Sequence, residues 1–327
     1  MKPYTSQTPI IGPPELALIA ITFMWGGTFL IVHNAVAFGG VLAFVAARFA
    51  IAALVGALIC RRQILAMTKA ELVTGMRIGA SIFGGYALQT YGSMHIPSSK
   101  SAFITAFYVP IVPLLQWLFT KHRPHLVVWV AVSMAFLGLL LLTGTDALSM
   151  KFGIGEVMTA LGAMAIAVEI TLISRVSARM NVMRVTIVQL ATASLIALLL
   201  MPVMGEAAPP LSTTFVLSVI ALGCASTAIQ YVMNWAQKRI SATKATLIYA
   251  GEPVWAAVVG RIAGEQMPGT AIGGALLIVC AGILSEWRPK KMPCSSGEIE
   301  QRAMSAAESD AVSVLTVNEA VQPGQGA

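Results

Sequence analysis

Charge is what this sequence has least of. Only 11% of its 327 residues are Asp, Glu, Lys or Arg, against about 25% in an ordinary soluble domain. Apolar residues make up 57%, and the mean hydropathy is +0.79. A water-bathed fold is excluded for most of the chain; its solvent is lipid. Cysteine is scarce too. Cys60, Cys224, Cys280 and Cys294 stand singly, with no Cys-x-x-Cys pair and no His-Glu-x-x-His, so neither a dithiol centre nor a zinc site of those kinds is written here. They read as small apolar fillers and one tail thiol. No Gly-x-x-x-x-Gly-Lys-Ser/Thr loop occurs, which argues against a self-contained ATP-driven pump. His33, His95, His122 and His125 are not spaced as a nucleophile–base or metal-ligand cluster, which argues against a membrane enzyme. No cofactor or metal is expected. The net charge of +7 is spread over short loops rather than one patch, which argues against a nucleic-acid partner.

What is present is a series of apolar runs: about Glu15–Val36, Val41–Cys60, Leu72–Met94, Ser101–Phe119 and His125–Thr143, then Ile154–Ser174, Val185–Val203, Thr214–Ala236, Ala245–Ala263 and Gly269–Trp287. Each is long enough to cross a ~30 Å hydrocarbon core as a helix. In lipid every backbone polar group must be bonded within its own segment, so helices are the form expected. The fold class read here is an all-α membrane protein of ten transmembrane helices, arranged as two inverted five-helix repeats around a central cavity. The first repeat covers 15–143 and the second 154–287. A polar tail, 1–14, precedes them, a connector, 144–153, joins them, and a small-residue-rich, disordered tail, 288–327, follows. Ala35-Val36-Ala37 looks like a signal cleavage site, but the run before it exceeds a 7–15-residue signal core.

The duplication shows as a constant offset of 144 residues. Ile240 falls on Ile96, Lys244 on Lys100, Ala250 on Ala106, Pro268 on Pro124, Gly282 on Gly138 and Gly223 on Gly79. Repeats of this kind mark many transporter folds. With the N-terminus in the cytoplasm, the inner loops carry 15 Lys and Arg and the outer loops only Lys100, Lys151 and Arg261. That bias puts both termini inside. Five spans per half make the copies antiparallel, with Lys100 outside and Lys244 inside, which permits alternating access around a midplane site.

Polar residues inside the spans are the candidate site. Glu252 lies in the ninth span, about 12 Å from its start. A charge at mid-membrane costs roughly 2.5–3.5 kcal/mol and is functional by default. Pro253 beside it cannot donate its backbone hydrogen bond, so a kink is expected there. Tyr249, Glu252 and Trp255 share a threefold spacing, and Tyr108 is the offset partner of Glu252. The third span presents Tyr86 and Gln89, and the eighth presents Gln230, Asn234 and Gln237, each set on one helix face. Trp25, the offset partner of Glu169, offers an aromatic wall or plain packing. Arg48 is the natural ion-pair partner of Glu252. Glu169, near the cytoplasmic end of its span, is expected to reach Arg175 or water. Trp25, Tyr86, Gln89, Tyr108, Gln230, Asn234, Glu252 and Trp255 are read as substrate-binding. Arg48, Glu169, Pro253 and Glu265 are read as structural or coupling residues. The competing reading of each polar residue is a helix-to-helix hydrogen bond or a structural ion pair.

Trp25-Gly26, Ala47-Arg48-Phe49 and Ser101-Ala102-Phe103-Ile104-Thr105 with Pro110 resemble the first half of EamA-type members of the drug/metabolite transporter superfamily. Ala236-Gln237-Lys238, Ala242-Thr243, Glu252-Pro253 and Gly264-Glu265 resemble the second half. The resemblance covers about 15–287. It implies a ten-helix bundle with a central cavity in the bacterial inner membrane, and export of amino acids or similar small metabolites. The first copy departs from the pattern. It reads Thr120-Lys121-His122-Arg123-Pro124 where members often carry Gly-Glu, so no carboxylate role carries over there. Expected partners are a small-molecule solute and membrane lipid, with a coupled proton as an option. The alternative is an importer or exchanger of an anionic metabolite, for which Arg48 is the cation at hand.

Overall fold

A computed structural model describes residues 12–36, 40–96, 98–121, 123–143, 153–176, 179–207, 212–262 and 269–286. Most of the connector, Glu265 and both tails lie outside them. The described residues form helices only: α1 Pro13–Val36, α2 Val41–Ile59, α3 Arg61–Ile64, α4 Lys69–Ser93, α5 Ser98–Thr105, α6 Tyr108–Thr120, α7 Leu126–Thr143, α8 Ile154–Ile173, α9 Val182–Val203, α10 Thr213–Gln237, α11 Ala242–Tyr249, α12 Glu252–Ile262 and α13 Ala271–Glu286. Among them five segments are by themselves long and apolar enough to cross a bilayer: Val41–Ile59, Phe103–Thr120, Ile154–Ile173, Val182–Val203 and Thr213–Gln237. Leu126–Leu142 and Ala271–Leu284 are shorter apolar helices.

The offset of 144 residues reappears in the helix boundaries. α4 and α10 begin and end 144 residues apart, and so do α5 and α11. α2 and α9 end 144 apart, at Ile59 and Val203. The fourth and ninth spans, each expected as one helix, are both broken, and at matching places: Ala106–Phe107 and Ala250–Gly251. The ninth breaks for a local reason. Gly251 is poorly suited to a helix interior. Pro253 has no N–H for the carbonyl of Tyr249 and is well placed in the first turn of a new helix. In the fourth span Pro110 does the same to Ala106, whose carbonyl instead accepts from the Val109 N–H at 2.9 Å.

Two repeat-related pairs, α2 with α9 and α7 with α13, pack antiparallel. At one end of α2, the Leu42 N–H donates to Glu206 Oε2 at 2.9 Å, just past the end of α9. In the middle, Ser194 Oγ donates to the Ala46 carbonyl at 2.8 Å. Towards the other end, Gly56 faces Ile187 near the start of α9. α7 and α13 behave alike: Gly138 faces Gly274 and Thr270 Oγ1 donates to the Leu141 carbonyl at 2.8 Å. The packing is thus mostly between copies, α4 on α8 and α9, α2 on α9 and α10, and α7 on α13.

Close approach depends on glycine at the α7–α13 crossing. A Cβ on Gly138 would stand 2.6 Å from the Gly274 carbonyl, and one on Gly274 would stand 2.6 Å from the Leu142 nitrogen. Without side chains at the crossing, the backbones gain van der Waals contact, which drives helix association in lipid in place of the hydrophobic effect.

Each copy also sends a carboxylate to the start of the other copy's second helix. Glu206 accepts from the N–H groups of Leu42 and Ala43, the latter at 3.1 Å. Glu71 accepts from the Asn181 N–H at 2.8 Å and pairs with Arg184 at 3.2 Å. Both satisfy orphan N–H groups and oppose the positive end of a helix dipole. At the same end as Glu71, Lys244 pairs with Glu15 and Thr243 hydrogen-bonds Gln116, tying α11 to α1 and α6.

A buried polar cluster at the helix breaks

The centre of the cluster is Tyr86 on α4. Its hydroxyl lies close enough to Arg48, Glu169, Glu252 and Gln230 to interact electrostatically with all four. These residues come from α2, α8, α10 and α12, so both copies contribute. Arg48 is 3% exposed. Its Nε donates to Ser226 Oγ at 2.8 Å, and its guanidinium carbon lies 5.0 Å from the Tyr86 ring centre and 5.6 Å from that of Phe49. Its Nη2 has no hydrogen-bond partner among the described residues. Cation–π contact and one hydroxyl thus serve a charge that lacks a full hydrogen-bond shell.

Two pairings expected from the sequence are absent among the described residues. Arg48 and Glu252 do not form an ion pair. No cation or hydrogen-bond donor among the described residues meets the Glu252 carboxylate, which is 9% exposed. The break explains this: Glu252 opens α12, so its position is set by the new helix and not by the line of α11. It is partly compensated by the positive end of α12. Nor does Glu169 turn to Arg175, which stacks on Phe119 with its carbon 4.2 Å from the ring centre. Glu169 is 2% exposed and accepts from Gln230 Nε2 at 3.0 Å. Gln230 in turn accepts from Gln189 Nε2 at 2.8 Å. Gln189, on α9, belongs to this chain of amides. Sequence reading missed it, although a glutamine between Val188 and Leu190 in an apolar run was the available signal.

The other candidates divide. Tyr108 opens α6 as Glu252 opens α12, and it lies within electrostatic reach of Glu252 and Tyr249. Trp25 meets the Tyr249 ring edge-on, with centres 6.1 Å apart. Tyr249 accepts at its hydroxyl from Gln237 Nε2 at 2.9 Å. These residues border the cluster. Gln89 donates instead to Thr105 Oγ1 at 3.1 Å, tying α4 to α5. Asn234 donates to Thr186 Oγ1 at 3.2 Å and to the Gln230 carbonyl at 2.8 Å, tying α10 to α9. Trp255 packs edge-on against half-exposed Phe23, with centres 5.3 Å apart. Pro253 acts through the break. Glu265 lies outside the described residues.

The expected open cavity does not surround these groups. They are packed against one another and nearly sealed. A small apolar recess is lined by Ala106, Val109, Ala135, Phe136, Leu139 and Ala250. It lies against both helix breaks, since Ala106 and Ala250 belong to them.

Comparison with known proteins accords with this architecture. A crystal structure of a protein that is 18% identical superposes with a TM-score of 0.68 over 82% of this chain and 94% of that one; at this identity the likeness is one of fold. An uncharacterized transporter of Archaeoglobus fulgidus is 27% identical over 278 residues, covering 84% of this chain and 86% of its own. The model of the EamA-like transporter family matches twice, over residues 13–144 and 153–286. Two copies of one family module, helices packed across them and polar groups buried where spans break have a single reading: the chain belongs to the EamA-like transporter family and is a multi-pass membrane transporter.

Proposed function

We propose that the protein is a secondary transporter that exports amino acids or similar small metabolites by alternating access. The membrane is the cytoplasmic (inner) membrane, with both termini in the cytoplasm, as the basic-loop bias supports. The ten spans form inverted repeats, 15–143 and 154–287, that rock against each other around Tyr86. Trp25, Tyr86, Tyr108 and Gln230 supply aromatic walls and hydrogen bonds to an amphipathic solute. Glu252 holds its ammonium group or carries a coupled proton. No chemical step on the solute is involved.

The observation that carries this reading is the Glu252 carboxylate at a helix break, without a partner among the described residues. A structural carboxylate in lipid would be paired, because an unpaired one is costly. Breaks in opposed spans are also where transporter sites form, with helix ends aimed at the solute. Export of radiolabelled amino acids from cells overexpressing the protein tests the proposal. Faster loss of at least one solute, abolished in Glu252→Gln, is expected. Retention of every solute tested at the control rate would overturn it.

A second reading, import or exchange of an anionic metabolite, rests on the Nη2 of Arg48, which has no partner among the described residues. It predicts that Arg48→Gln, not Glu252→Gln, removes transport.

A further inference from the structure

Arg77 is the charged residue that the transport reading leaves unused. It lies on α4, five residues or about 8 Å past the start of the apolar run at Leu72, and it is exposed. Its neighbours on that face, Val73, Met76 and Ala80, are also exposed. In a chain that spans the membrane, this exposed and mostly apolar face is read as lipid-facing. No hydrogen bond or ion pair to Arg77 occurs among the described residues. Lys69, two turns earlier on the same exposed side, is the next charge along it. Arg61 and Arg62 on α3 are exposed close by in the chain. The acid in this stretch, Glu71, is turned away and engaged by Arg184, Asn181 and Thr68.

We propose that the lipid-facing side of α4 around Arg77 and Lys69 binds the phosphate of an anionic phospholipid. A guanidinium in an acyl environment must reach the headgroup layer, and its long stem lets it snorkel there. At this depth the group available to meet it is a lipid phosphate, which its planar fork accepts through two hydrogen bonds. Lys69 adds a second positive charge nearer the surface. A zwitterionic headgroup brings its own cation into this field; an anionic one does not. The proposal requires only that the chain spans the membrane and stands apart from what it transports.

Native mass spectrometry of the purified full-length protein, titrated with dioleoylphosphatidylglycerol or dioleoylphosphatidylcholine, tests it. The wild type is expected to retain the glycerol lipid over the choline lipid. Arg77→Gln and Lys69→Gln should each weaken that retention about five-fold, a typical share for one basic residue at a membrane surface. Arg77→Lys should keep most of it. Arg239→Gln, whose side chain stacks on Trp235 at another site, should change nothing. Equal retention of the two lipids, or undiminished retention in Arg77→Gln, would overturn the proposal. So would full competition by glycerol phosphate at matched ionic strength, or a second copy of the protein occupying the face in place of lipid.

Discussion

Tyr108 and Glu252 stand 144 residues apart in the chain, and each is the first residue of a helix that resumes after a two-residue break. The two breaks carry different chemistry at the same place in the repeat, a phenol in one copy and a carboxylate in the other. Since Glu252 meets no partner among the described residues, replacing it with the uncharged glutamine removes a desolvation cost and none of the contacts described. Glu252→Gln is therefore expected to leave Tm unchanged or raised, while transport falls at least tenfold and loses its pH dependence. Thermal unfolding in detergent beside an efflux assay separates the outcomes: a lower Tm with intact transport would make Glu252 a structural residue.

The α7–α13 crossing makes a sharper prediction. Gly274→Ala puts a methyl group against the Gly138 carbonyl and the Leu142 nitrogen, backbone atoms that cannot step aside. Overpacking of this kind costs about 1–3 kcal/mol. Gly273→Ala, one residue earlier, meets nothing within 4 Å and serves as the control. Equal Tm values for the two variants would show that the helices do not cross at this point.

Glu71 gives stability a dependence on pH. Burial works to raise its pKa, but the N–H groups of Asn181 and Thr68 and the Arg184 guanidinium outweigh burial and hold it below the usual carboxylate value. A carboxyl with a depressed folded-state pKa contributes fully above its unfolded value and loses that contribution as pH falls through the folded one. Glu71→Gln should cost about 1–3 kcal/mol at neutral pH, and its Tm deficit against the wild type should shrink on acidification below pH ~4. A deficit that stayed constant down to pH ~3 would mean that the Glu71 charge contributes nothing.

Glu206 and Gly40 are coupled. A Cβ on Gly40 would collide with the Glu206 carboxyl group, and that carboxyl caps the start of α2. Glu206→Ala should cost about 0.5–2 kcal/mol, as loss of a cap does. Gly40→Ala should cost a similar amount by displacing the same cap. The double variant should then be little worse than either single one. Additive losses in Tm would show that the two positions act independently.

Much of the scaffold was legible because lipid imposes few solutions. Runs such as Val41–Cys60 and Val185–Val203 had to be helices, and the offset through Lys100 and Lys244 identified the copies before any contact was known. The break before Pro253 was foreseeable from its missing N–H; its counterpart at Ala106–Phe107 was not expected, although Pro110 deprives the Ala106 carbonyl of its helical donor in the same way. Pairings were the least legible. Arg48 and Glu252 are the obvious couple by charge, but their distance depends on how two broken spans are set, which no local pattern encodes. For Glu169, sequence offers Arg175 or water; in space its donor is Gln230, from a helix about sixty residues away.

The exchange of carboxylates between copies bears on how the polypeptide comes to exist at all. Glu71 holds the head of α9 and Glu206 holds the head of α2, so neither half is furnished with its own fastenings. If the coding sequence were severed between residues 144 and 153, each product made alone should be degraded in the host. Made together, the two should rescue one another and assemble into a working carrier.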